Sequence, residues 1–393
     1  MKRAVSLCAL LIWLVAWQPL VHAQTFTILY QFKSGPNGVM PAAGVTLDPK
    51  RRALYGTTER DGKFASGTVY GFNKNGETAL YSFTNEQGDG AFPAGNSYLL
   101  LDSAGNLYGA TDEGGISNGG DCSFGCGIVF QVSQTGKETI LHEFTGGDDG
   151  ESPRGPLVGD AAGNVYGMTF RGGTADEGIL YKINHTGKFT VMHSFGAQPG
   201  DGELPEGGLV RDKAGNLYGT TMSGGALGAG TVFKIDPGGN ESVFYSFGAN
   251  FPDGLEPINE LTIDAAGNLY GMTDDSLGFP FGFGVVFKVN PSGQETVLHN
   301  FVFVPDAQTP IFNGLAVDPS GTVYGVTNGG GDFGLGAVFK IDTAGNETVI
   351  HSFSGPDGQY PYGGLARDPQ GNLYGTTSEG GAFGGGVIYR IKP

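Results

Sequence analysis

Apolar positions in this chain fall in short runs of about five residues, set apart by clusters of Gly, Asn, Asp and Pro, and no segment repeats with a helical period. Residues 208–212, 217–221, 231–235 and 242–247 illustrate the pattern as four predicted strands. They are joined by the turn Lys213-Ala-Gly-Asn216, the loop 222–230 and the turn Asp236-Pro-Gly-Gly-Asn240. Turns this tight require antiparallel neighbours. In Leu217-Tyr218 and Val232-Phe233 adjacent residues point to opposite faces and both are apolar, so the sheet is expected to be covered on both sides.

The same unit recurs seven times. Its marker, Leu or Val followed by Tyr-Gly, places Tyr55, Tyr108, Tyr166, Tyr218, Tyr270, Tyr324 and Tyr374 at spacings of 53, 58, 52, 52, 54 and 50 residues. Four antiparallel strands per unit predict an all-β, seven-bladed β-propeller, because an open array would leave edges and faces exposed. Residues 26–32 look like a fourth strand without its blade, and 387–391 like a third strand without its successor. Pairing the two predicts a ring closed by strand 26–32 completing the last blade. Tight turns then lie on one face and the longer loops, where binding usually resides, on the other.

Glycine is abundant, at 72 residues, but the regular strands between the glycines argue against disorder. Residues 1–23 read as a signal peptide: Lys2 and Arg3, an apolar run, then Val21-His22-Ala23 before Gln24. The domain reading is therefore 1–23 signal peptide and 24–393 one propeller, exported to the periplasm or secreted, monomeric and without a membrane span. Loss of Lys2 and Arg3 takes the formal charge from −17 to −19, which disfavours nucleic acid and anionic lipid as partners. The remaining cysteines, Cys122 and Cys126, are expected to form a local disulfide that stiffens one loop.

Asp212 to Thr221 with Gly224, Gly225 and Gly230 to Ile235, and again Asp368 to Thr377, resemble the GloVer repeat of choice-of-anchor tandem-repeat proteins. That resemblance covers essentially all of 26–393 and implies an exported bacterial protein. It implies no activity.

Asp102, Asp160, Asp212, Asp264, Asp318 and Asp368 each precede a turn and are read as turn formers. His142, His193, His299 and His351 alternate with Tyr30, Tyr81 and Tyr245 on fourth strands and are read as packed, hydrogen-bonded rings. Asp148, Asp149 and Glu151 form a local carboxylate cluster that could hold Ca²⁺; no other cofactor is expected. Phe64, Phe124, Leu227, Phe281, Phe333 and Phe383 share one loop register and are expected to plug the space between blades, with a sugar-stacking surface as the alternative. Phe279, Phe281 and Phe283 are the candidates for an exposed patch. Where innermost strands begin, Asn96, Arg154, Glu206, Asn259, Glu260, Asn313 and Tyr362 are expected to converge on the channel mouth.

No nucleophile, base and orienting acid occur together. The expected function is a non-catalytic binding module that recognises a glycan or another exported protein through the long-loop face. The alternative is a metal-dependent, lactonase-like hydrolase or glycan lyase using Glu206, Asn259, Glu260 and Asn313 at the channel mouth.

Overall fold

A computed structural model describes residues 24–41, 43–84, 86–93, 98–116, 122–249, 253–276, 283–302, 307–308 and 314–392. The candidates Asn96, Asn313, Phe279 and Phe281, and the leader 1–23, lie outside the described residues.

Every regular element is a strand, and the strands assemble as seven four-stranded antiparallel blades. In blade four the order from the axis outward is Val210–Arg211, Leu217–Thr221, Thr231–Ile235 and Glu241–Ser246. The last blade takes its outer strand from the front of the chain: Thr25–Gln31 pairs with Val387–Lys392, Phe26 opposite Ile391. The sequence missed short ladders at the entry to several blades. Gly202–Glu203 pairs with Ser223–Gly224, and Gly254–Leu255 with Asp275–Ser276, so the entry loops Asp201-Gly-Glu-Leu-Pro205 and Asp253-Gly-Leu-Glu-Pro257 are tied down rather than free turns.

There is no single core. The buried side chains fall into seven clusters, each shared by two neighbouring blades; Tyr218, Val232 and Phe247 of blade four, for instance, pack on Leu261, Leu269 and Phe287 of blade five. Each seam carries one fully or nearly fully buried Phe just past the outer strand: Phe32, Phe83, Phe144, Phe195, Phe247, Phe301 and Phe353. Burial of one such ring contributes roughly 1.5–3 kcal/mol.

The repeat motif has a local cause. In five of the repeats the turn Asp is bonded to the Asn four residues on and the Tyr six residues on. Asp264, for example, accepts from the Asn268 backbone at 2.9 Å, its side chain at 2.7 Å and the Tyr270 hydroxyl at 3.1 Å. Burial pushes these carboxyls up, but the donated hydrogen bonds outweigh it and hold all six turn aspartates below the usual range.

Candidate functional site

At the mouth of the ring on the long-loop face, Arg154 of blade three forms an ion pair with Glu206 of blade four, 52 residues away. The same guanidinium stands 3.7 Å from Asp112 of blade two and lies over the Phe170 ring, 4.3 Å from its centroid. Burial raises the Asp112 carboxyl to about 6, against the pull of Arg154, with Glu206, Glu113 and Glu59 adding to the rise. Glu206 is raised by burial too, with Asp274 contributing. The mouth is therefore acid-rich, with one arginine stacked on an aromatic ring.

One layer below, the ring is filled. Tyr98, Pro156 and Glu260 occupy a register that is glycine in the other blades: Gly44, Gly208, Gly314 and Gly364. A Cβ on Gly44 or Gly364 would run into the Tyr98 ring or hydroxyl, and one on Gly314 would lie 3.4 Å from the hydroxyl, so this one tyrosine of blade two reaches blades one, six and seven. A Cβ on Gly314 would also lie 2.6 Å from Glu260 Oε2. Glu260 and Asn259 are buried, and burial raises the Glu260 carboxyl well above its ordinary value. The expected convergence is thus divided. Arg154 and Glu206 meet at the mouth, Glu260 packs inside the axis, and Asn259 is buried, its backbone carbonyl oxygen accepting from Thr220 Oγ1 at 3.3 Å. Tyr362 is partly exposed.

The loop-register aromatics do not plug the seams. Phe64, Phe124, Leu227, Phe333 and Phe383 are exposed, Phe124 at 70% and Phe333 at 61%. These loops follow the second strand of each blade, so these side chains, from blades one, two, four, six and seven, stand on the same face as the mouth. The plugging is done instead by the buried Phe of each seam. Phe283, expected in an exposed patch, packs against the cluster between blades five and six.

Residues 119–316 and 303–393 match the Gloeobacter/Verrucomicrobia repeat. The chain belongs to that repeat family. No curated protein matches it. Among solved structures it is similar to the extracellular domain of the hybrid two-component system BT4673 from B. thetaiotaomicron (TM-score 0.62, 11% identity, 93% of this chain and 39% of that one). The corresponding domain of BT3049 from B. thetaiotaomicron is also similar (0.57, 15%, 94% and 41%). The chain thus spans about two-fifths of their length. A Bacteroides uniformis protein described as a 6-phosphogluconolactonase is similar over 79% of this chain and 84% of that one (0.51, 16%). At such identities the likeness is one of fold. Among the described residues no helix is long and apolar enough to cross a membrane.

Within this repeat-family member the fourth-strand His and Tyr side chains build interblade clamps. Tyr81 donates to Asp89, Tyr245 to Asp253, and the His193, His142 and His351 rings face Asp201, Asp149 and Asp357, all at 2.9–3.1 Å. A Glu from the next blade closes several clamps. Burial raises Glu138 and Glu295 to about 7, and the neighbouring Asp89 and Asp253 carboxylates add to it. In two seams the Glu is absent and a ring replaces it: Phe189 stacks on His142 and Phe26 on His351, centroids 3.7 and 3.8 Å apart.

The calcium candidates are split by the same clamp. Asp149 accepts from Thr145 and faces His142, whereas Asp148 and Glu151 line a polar hollow of about 350 Å³ with Asp176. Cys122 and Cys126 are joined by a disulfide, Cα–Cα 4.9 Å, at the edge of that hollow. Sequence reasoning missed Asp112, Phe170 and Tyr98. Asp112 and Phe170 sit where blades four to seven carry Met222, Asp274, Asn328 and Ser378, so no repeated type drew attention to that ring. Tyr98 was legible as the one aromatic in a mostly glycine register.

Proposed function

We propose that this protein is an exported, non-catalytic binding propeller whose long-loop face recognises an extended ligand, a glycan or another exported protein. The observation that carries the reading is the exposure of Phe64, Phe124, Leu227, Phe333 and Phe383 on the same face as an acid-rich mouth. Single exposed apolar residues are ordinary on a protein surface, but their recurrence at one loop register on one face supports reading that face as an interaction surface. The Arg154–Phe170 stack and the Asp112 carboxyl supply stacking and polar partners at its centre. The donor chemistry favours this reading over the hydrolase: Glu206 is committed to Arg154, and Glu260 is buried and held toward its neutral form, so the pair offers poor anionic ligands for a metal.

Immobilised-polysaccharide arrays and capture assays with exported proteins test it. A ligand found in either should bind the F124A/F333A/F383A variant at least about tenfold more weakly, as expected when several exposed aromatic contacts are removed. It should also lose affinity on R154A. Undiminished binding by the triple variant would refute the assignment of this face.

A further inference from the structure

On the opposite, tight-turn face, the hairpin of blade one beside the closing seam is shorter than those of blades two to six. In blade two the hairpin between the third and outer strands spans Ser133 to Lys137, and Gln134 bonds both the Tyr55 hydroxyl of blade one, at 3.0 Å, and the Gly105 carbonyl. Gly136 of that hairpin abuts Leu80 of the previous blade, and Gly293 and Gly345 abut Phe244 and Leu298 in the same way. Blade one has a shorter hairpin, in which Asn73 pairs directly with Gly76. No atom lies within 4 Å of a Cβ placed on Gly76; the same holds at Gly187 and Gly239 of blades three and four, but their hairpins keep five residues.

The result is a cleft of about 830 Å³ between blades seven and one, within the range of small-molecule sites, about 300–1,000 Å³. Its lining combines apolar and aromatic side chains, Leu29, Leu54 and Phe72 among them, with the cations Arg52, Lys74 and Arg390. The two lining carboxylates are already occupied: Asp48 by Arg51 at 2.8 Å, Asp368 by Asn372, Tyr374 and backbone N–H groups. Arg52 and Lys74 form no ion pair among the described residues, and Arg390 Nε is buried without a hydrogen-bond partner. Three cations thus line one cleft in a chain of net charge −17.

We infer that the cleft between blades seven and one is a second binding site, and that it takes a carboxylated saccharide of one to two rings. The cations meet the carboxylate, and an apolar wall suits a sugar ring face. Asn73 and Gln370 are placed to meet hydroxyls. This goes beyond the proposed function and uses the other face.

Titration calorimetry with digalacturonate, and with neutral galactobiose as control, tests it. Digalacturonate should bind, galactobiose should not, and the affinity should fall with salt. R52Q/K74Q should weaken binding about tenfold or more, the effect of losing charge-assisted hydrogen bonds. A variant with one Lys inserted between Gly76 and Glu77, which restores the five-residue hairpin, should lose binding while melting as a folded ring. R154A should bind digalacturonate unchanged, which separates this site from the mouth. Absent binding, equal binding of the neutral disaccharide, indifference to R52Q/K74Q, or loss on R154A would each overturn the inference.

Discussion

Two glycines per repeat have steric duties that follow from their neighbours. In Tyr-Gly, a Cβ would collide with the tip of the third-strand aromatic. Gly271 faces Phe287 in this way, at 2.5 Å, and Gly56, Gly167 and Gly375 face Tyr70, Tyr181 and Tyr389. The glycine before the third strand has φ near +90° and holds the space taken by the next blade's proline; a Cβ on Gly230 would lie 2.5 Å from both Pro257 Cδ and the Thr221 carbonyl oxygen. Its carbonyl also accepts from the seam Phe247 at 3.0 Å. Gly230→Ala should therefore cost about 1–3 kcal/mol in backbone strain, with the collision added, measured by urea unfolding. An unchanged midpoint would show that the seam yields easily.

At the scale of the blade, the clamp glutamates set a pH dependence. Folding raises Glu138 and Glu295 from an ordinary value of 4.5 to about 7, by burial first and the facing Asp carboxylates second. The folded state binds these protons more tightly than the unfolded chain. The contribution is therefore complete below 4.5 and is lost as pH rises through about 7. The turn aspartates act in the opposite sense: their stabilisation is present above 3.8 and is lost as pH falls below it. Melting temperature is expected to peak on the acid side of neutrality. E138Q/E295Q should flatten the fall between pH 5 and 8 in a thermal-melt series, whereas an identical slope in both proteins would remove these two groups as its cause.

For the whole molecule, stability depends on closing the ring, since each blade buries its apolar faces only against its neighbours. Thr25 lies opposite Lys392, so the two ends of the closing pair are adjacent. Phe26 packs on Tyr389 and on His351 of the blade before. A permutant that links Lys392 to Thr25 by a short turn, and opens the chain between Lys33 and Val39, should keep the same fold and melt at least as high. Deleting 24–32 instead should expose the edge of Val387–Lys392 and produce association, readable by light scattering. A monomeric, equally stable deletion variant would contradict the role given to this strand.

The period, the blade count, the strand positions and the closing partner were all legible in the sequence, because the Asp-Asn-Tyr turn, the short apolar strands and the glycines and prolines between them are patterns copied along the repeats. The site was legible only in part. Arg154 and Glu206 stood out as departures from small residues, yet nothing local paired residues 52 apart, and nothing local separated them from Glu260, which the ring turns inward over Gly314. Whether Phe124 and Phe333 were buried or exposed depended on how far each loop stands off the sheet. The open cleft depended on a hairpin shortened beside a seam whose two sides come from opposite ends of the chain. Repetition specifies the blade through contacts close in sequence, whereas the surfaces are made where different blades meet, and that distance is set only once the ring is closed.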